Sequence, residues 1–334
     1  MTIHSVWHIH KKSTCTYTLY AVQACVGLLL STPIWAGPNV AVSIAPIHSL
    51  VSAVMDGVGV PELLIPAGQS PHGYTLRPSS VKHIYGADLI IWIGPDYEIA
   101  LAGAIAQVSK SNLTKSLESL HELQTYPVRV GAVWESNENE NKDHNHKDGA
   151  SAKRQNRHQE KQPISIDPHF WLSTANAKTM VNLFRAWLIS IDSENSETYQ
   201  RNAERLISRI NILHSHLRQQ LRSVETIPYI VFHDAYQYFE KEFNLNQVGS
   251  ITVSPERTPG VKRIQALRKV IMAKGVRCLF NEPQFESRLL PTLIENTGVS
   301  LGQLEPLGTD SQPGTELWFE LMTELGKSLT DCLK

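Results

Sequence analysis

Short apolar runs alternate along this chain with longer stretches whose apolar positions recur every three or four residues. Asn39 to Ile44, Leu63 to Ile65 and Asp88 to Ile93 read as strands, separated by helical patterns over Ile47 to Met55, Val81 to Tyr85 and Glu98 to Val108. Strands that are apolar throughout belong in a parallel sheet covered on both faces. The alternation resumes further along. Tyr229 to Phe232, Gln247 to Ile251, Arg277 to Phe280 and Val299 to Leu304 predict strands, and Tyr236 to Phe243, Gly260 to Lys274, Leu289 to Gly298 and Glu316 to Leu329 predict helices. The pattern predicts an α/β protein with two Rossmann-like lobes.

Between the two sets lie helical patterns only. One runs from Asn176 to Ile189. A second follows the capping residues of Ser193 to Ser196, with Tyr199, Ala203, Leu206, Ile207, Ile210, Leu213, Leu217 and Leu221 on one stripe. At about 1.5 Å per residue this helix spans roughly 40 Å, more than a small lobe needs. It predicts a rigid strut, with the first lobe at residues 37–193, the linking helix at 194–223 and the second lobe at 224–334. A chain of 334 residues exceeds the comfortable size of a single core, which agrees with two lobes. His214 and His216 on this helix face different directions and read as surface residues.

Two segments break the pattern. Residues 1–36 run from Lys11 and Lys12 through an apolar stretch ending Leu28-Leu29-Leu30 to Ser31-Thr32-Pro33-Ile34-Trp35-Ala36, the order of a secretory signal peptide cut near Ala36. An uncleaved anchor is the other reading, but the run is shorter than the ~20 residues of a spanning helix. Residues 135–162 hold six acids, six bases and three histidines, His144, His146 and His158. With no apolar residue larger than alanine, they cannot offset the entropy of ordering and are expected to form a disordered loop.

Composition narrows the partners. Lysine and arginine number 31 against 32 acids, a net charge of −1, which leaves no basic footprint for nucleic acid or an anionic membrane surface. There is no Gly-rich phosphate loop and no nucleophile elbow. Signal removal takes away Cys15 and Cys25 and leaves Cys278 and Cys332 in a compartment that permits disulfides. A bond between them is the simplest reading, and two buried thiols is the other. Across a loop of more than 50 residues such a bond is worth ~4 kcal/mol.

The candidate chemistry rests on three dispersed histidines. His72 lies in Ser70-Pro71-His72-Gly73-Tyr74, His169 in Asp167-Pro168-His169-Phe170-Trp171-Leu172, and His233 in Val231-Phe232-His233-Asp234-Ala235-Tyr236, 97 and 64 residues apart. Local zinc motifs pack their ligands within a few residues, so these would have to be gathered by the whole fold. Each sits near a strand-to-helix junction, where α/β sheets place ligands. Three imidazoles with one oxygen donor or water make an ordinary four-coordinate zinc site. The same set also describes catalytic zinc, so a zinc hydrolase is the enzyme alternative.

With these motifs, and with Ser43-Ile44-Ala45-Pro46-Ile47-His48, Ala87-Asp88-Leu89-Ile90-Ile91-Trp92 and Phe280-Asn281-Glu282-Pro283 in the same order, the chain resembles the zinc-specific group of periplasmic substrate-binding proteins that serve ABC importers. The resemblance covers nearly all of the chain after residue 36. It implies two α/β lobes on one long helix with Zn²⁺ between them, His72 and His169 as first-lobe ligands and His233 as a second-lobe ligand. It also implies a periplasmic, monomeric, non-enzymatic receptor that delivers zinc to a membrane permease. The group's fourth position falls on Glu305 in Leu304-Glu305-Pro306-Leu307-Gly308, where relatives carry aspartate, so Glu305 or water would complete the shell. Pro71 occupies the place of an acid that precedes the first histidine in some members. The resemblance further implies that His144, His146 and His158 form an auxiliary metal-scavenging arm and that Cys278 pairs with Cys332. His48 is expected to order the first helix. A manganese or iron receptor is the alternative within the family; an adhesin role on the same fold stays open.

Overall fold

The structure, a computed structural model, describes Met1 and residues 37–108, 113–129, 166–252, 255, 259–285 and 290–334. The expected signal segment and the histidine-bearing stretch 135–162 lie outside the described residues, apart from Met1. The first lobe is built from β1 (Val40–Val42), α1 (Ala45–Val54), β2 (Glu62–Leu63), α2 (Pro78–Gly86), β3 (Leu89–Trp92), α3 (Ile99–Ile105) and β4 (Leu113–Ser116). Its sheet has the order β2-β1-β3-β4, with every neighbouring pair parallel. Every residue of β1 and β3 is buried, as expected for strands whose two faces are both covered.

Two helices follow, α4 (Thr174–Ile191) and the 26-residue α5 (Ser196–Leu221). The Ser173 side chain accepts from the Asn176 backbone N–H and caps α4. The buried side of α5 carries Tyr199, Ala203, Leu206, Ile210, Leu217 and Leu221, the stripe expected from the sequence. The second lobe comprises β5 (Tyr229–His233), α6 (Gln237–Phe243), β6 (Gln247–Thr252), α7 (Val261–Lys274), β7 (Cys278–Asn281), α8 (Leu290–Ile294), β8 (Ser300–Gln303) and α9 (Leu317–Leu333). Its sheet, β6-β5-β7-β8, is again all parallel and repeats the strand order of the first.

The final helix does not stay with its lobe. Although α9 lies within residues 224–334, it packs on α1 and α5 as well as on β8. Its first turn is fixed by the Trp318 N–H donating to Ser49 Oγ at 3.0 Å and by the Trp318 indole donating to Trp171 O at 2.9 Å. Gly326 allows the close approach to α5, since a Cβ there would lie 2.5 Å from Leu217 Cδ2. A disulfide between Cys278 and Cys332 ties α9 back to β7. One apolar core therefore runs from β1 and β3 through α5 and α9 to β5 and β7, and a smaller one fills the far side of the second sheet.

His214 departs from its expected solvent-facing role. Its Nδ1 lies 2.9 Å from Thr174 Oγ1 and 3.1 Å from Glu242 Oε1, joining α5 to the start of α4 and the end of α6. His48 is buried, with Nε2 at 2.9 Å from Pro61 O, and orders α1 as expected.

Candidate metal centre

In both sheets the strand order reverses beside the first strand, so the crevice between β1 and β3, and that between β5 and β7, opens at the strands' C-terminal ends. His233 is the last residue of β5, and Glu282 follows the last residue of the neighbouring β7. Parallel pairing brings the two together: Glu282 Oε1 accepts from His233 Nδ1 at 2.5 Å. His169 is oriented by its own loop. Asp167 Oδ1 accepts from both the His169 N–H at 3.0 Å and its Nδ1 at 2.8 Å. A carboxylate only accepts, so each Nδ1 carries a hydrogen, and in the neutral imidazole each Nε2 keeps a free lone pair.

Those lone pairs meet. His169 Nε2 and His233 Nε2 are 3.4 Å apart, and His72 completes a triangle in which ligand atoms of the three residues all lie within 4.8 Å of one another. His72 sits in a 3-10 turn, Pro71–Gly73, and its buried Nε2 has no protein partner. The turn is anchored by Tyr74, whose hydroxyl meets Leu64 O at 3.2 Å and Ser80 Oγ at 2.8 Å. Two imidazole nitrogens on one tetrahedral zinc, each about 2.0–2.1 Å from it, stand about 3.3–3.4 Å apart. The observed spacing matches that requirement. Without a shared cation or proton, two lone pairs at this distance repel.

The surroundings tune the ligands. Burial, reinforced by the neighbouring His169 and His233, pushes His72 down to about 3, so it is a neutral donor at physiological pH. Burial also opposes protonation of His233, but the Glu282 carboxylate outweighs it and raises the imidazole above its ordinary value. A small space of about 10 Å³, lined by the three imidazoles together with Tyr97 and Glu282, has room for about one water-sized body. Beside it a cavity of about 160 Å³ is lined by His72 and His169 together with Asp96, Glu118, Asp167 and Asp234. This places carboxylates where a cation would approach.

Five residues given no role from the sequence shape this centre. Tyr97 stands edge-on to His72 with ring centroids 4.6 Å apart, and 5.6 Å from His169. Asp167 and Glu282 hold the two Nδ1 atoms. Their signal was present, as an acid two residues before a histidine and an acid directly after an apolar strand, but the pairing of Glu282 with His233 depends on strand order. Glu98 holds the loop that carries Tyr97, accepting from the Ile93 N–H at 2.8 Å and the Gly94 N–H at 3.3 Å. The Glu118 carboxyl rests directly on Gly94, where a Cβ would be 1.9 Å from Glu118 Cδ.

Glu305, the expected fourth position, is not in the imidazole cluster. Its oxygens accept from the Leu307 and Thr309 N–H groups, both at 2.9 Å, and from Gln284 Nε2, so the carboxylate closes its own loop. It lines a different cavity of about 390 Å³ with Asp310, Glu320 and Glu324, which contains no histidine.

Two α/β lobes fixed to one long helix, with imidazoles from both gathered at the strand ends, define a metal-handling substrate-binding protein. Residues 40–332 match the family described as zinc-uptake complex component A, periplasmic, and the chain belongs to that family. It is 37% identical over 312 residues to the high-affinity zinc uptake system protein ZnuA of Brucella abortus, covering 88% of this chain and 91% of the relative, and 31% identical over 308 residues to ZnuA of Yersinia pestis, covering 92% and 95%. A crystal structure of ZnuA shares the fold at TM-score 0.70 and 18% identity, covering 89% of this chain and all of that one.

Proposed function

We propose that this protein captures Zn²⁺ in the periplasm through His72, His169 and His233 and delivers it to the membrane permease of an ABC importer. The observation that carries this reading is the 3.4 Å approach of His169 Nε2 to His233 Nε2, with each Nδ1 secured by a carboxylate. The donor set is borderline and nitrogen-rich, which favours zinc over manganese. Water fits the fourth position better than Glu305, whose oxygens are held by backbone amides. Asp167 and Glu282 are engaged in orienting Nδ1 atoms, a ligand-positioning task. We further read residues 1–36 as a cleaved signal peptide, the receptor as a monomer, and His144, His146 and His158 as an auxiliary metal-collecting arm.

Isothermal titration of the mature protein with Zn²⁺ and Mn²⁺ tests the metal. Tight 1:1 zinc binding that is lost in His169→Ala supports the reading. Tighter binding of manganese than of zinc overturns it.

A further inference from the structure

Two short segments, 126–129 and 166–169, are joined by an antiparallel bridge between Pro127 and Ile166. Both segments dock on the second lobe beside the metal centre. Asp167 divides its carboxylate: Oδ1 orients His169, while Oδ2 accepts from Gln237 Nε2 at 3.1 Å. Gln237 Nε2 also reaches Pro127 O at 3.1 Å, and the Tyr238 hydroxyl donates to Asp167 O at 2.7 Å. The opposite segment carries Arg129. Its Nε and Nη2 bind both oxygens of Asp234, with Nε at 2.9 Å from Oδ2, and its Nη1 reaches Glu240 Oε2 at 2.6 Å.

Asp234 follows His233 directly in the chain. The two imidazoles whose Nε2 atoms face each other are therefore connected twice through protein: by Asp167 and Gln237 on one side, and by the Pro127–Arg129 segment and Asp234 on the other. The Arg129 and Asp234 side chains are 15% and 5% exposed, so the pair is shielded from water and salt. A planar fork on a carboxylate fixes both distance and direction, which a point charge does not. Burial opposes the charge on Arg129, but Glu240 and Asp234 outweigh it and hold the guanidinium more firmly protonated than usual. Asp234 takes two of the guanidinium nitrogens and Glu240 one, so Asp234 is the firmer of the two anchors.

We propose that Arg129 is a positioning residue of the metal centre. Its clamp on Asp234 holds His233 in register with His169 across the two lobes and slows the departure of the bound ion. The inference rests on the zinc-receptor reading above and adds to it a residue that touches no metal.

The test measures Zn²⁺ release into a chelating dye by stopped flow, the visible absorption of the Co²⁺-loaded protein and the melting temperature of the metal-free protein. Arg129→Ala is expected to release Zn²⁺ about tenfold faster, the lower end of what losing an outer partner of a metal ligand costs, and to shift the cobalt bands. Arg129→Lys, which keeps the charge and loses the fork, is expected to fall between native and alanine. Glu240→Gln should stay near the native rate. Unchanged release and unchanged cobalt bands in Arg129→Ala, even with a lowered melting temperature, would reduce the residue to a structural one and overturn the proposal, as would a Glu240→Gln effect equal to that of alanine. Should the alanine variant fail to fold, Arg129→Lys is judged by the same two readouts. Native protein that takes up no Zn²⁺ refutes the receptor reading, and this inference with it, before any variant is made.

Discussion

His233 and Glu282 form a buried pair in which the last residue of one strand is held by the first residue after its parallel neighbour, Nδ1 to Oε1 at 2.5 Å. Neither residue is free to turn. The carboxylate fixes the tautomer, aims Nε2 at the other imidazoles and increases its basicity. We expect Glu282→Gln to weaken zinc binding by about 10-fold to 100-fold with the fold intact. Titration calorimetry checks this, and an unchanged affinity would show that His233 is aimed by packing alone.

Zinc affinity should fall with decreasing pH because the ligands must be deprotonated to bind. Of the two ligands whose titration is shifted, His233, which Glu282 holds above its ordinary value, is the one that competes for a proton, whereas His72 is pushed down to about 3 and takes none near neutrality. Glu282→Gln should therefore shift the fall in affinity to lower pH. Titrations between pH 5 and pH 8 measure it; an identical pH profile in the variant would place the competing proton elsewhere.

A separate slope concerns stability rather than binding. Burial raises Glu98 to about 8, so between its unfolded value of 4.5 and about 8 the folded state holds a proton that the unfolded state has lost. Stability from this group is present below about 4.5 and declines as pH rises toward 8. Glu98→Gln, which cannot ionise, should flatten that part of the curve. Melting temperatures across pH 5 to 9 for both proteins provide the comparison. Parallel curves would show that the buried carboxyl titrates at its ordinary value.

Much of this architecture could be read from apolar spacing, because β1, β3, β5 and β7 are buried on both faces and their runs carry no polar alternation. Strand β4, Leu-Thr-Lys-Ser, was not anticipated: an edge strand needs little apolar surface and left no signal. The three histidines were legible from their motifs, and the structure sets them side by side. Of their carboxylate partners, Asp167 stands two residues before His169 in the chain, whereas the pairing of Glu282 with His233 was not legible, because it spans 49 residues and follows from which strands are neighbours. Glu305 looked like a donor by position alone. Its backbone hydrogen bonds within a tight loop are a property of conformation that the residue order does not display.

The Cys278 to Cys332 bond closes a loop of 54 residues and holds α9 against β7. Loop-closure entropy assigns it about 4 kcal/mol. Reduction, or Cys278→Ser with Cys332→Ser, should lower the melting temperature while leaving zinc stoichiometry at one. Chemical denaturation with and without reductant measures the loss, and loss of zinc binding at temperatures where the reduced protein stays folded would show that the bond also shapes the site.

The lobes should not swing on metal binding. A jointed clamp needs a thin connection, yet here α9 spans both lobes, Trp318 donates to Ser49 and Trp171, and the Trp171 indole donates to Pro306 O at 2.8 Å on the opposite side of the site. Opening a hinge would break these buried bonds and split a continuous core, at about 1–3 kcal/mol for each polar group left unpaired. Release is then expected from local movement of the loops that carry His72, His169 and Tyr97. Small-angle X-ray scattering of metal-free and zinc-loaded protein should give the same radius of gyration, while hydrogen exchange should show protection gained by zinc at residues 70–74, 94–97 and 167–172. A compaction of the whole particle on zinc binding, with no change confined to those loops, would establish hinge closure instead.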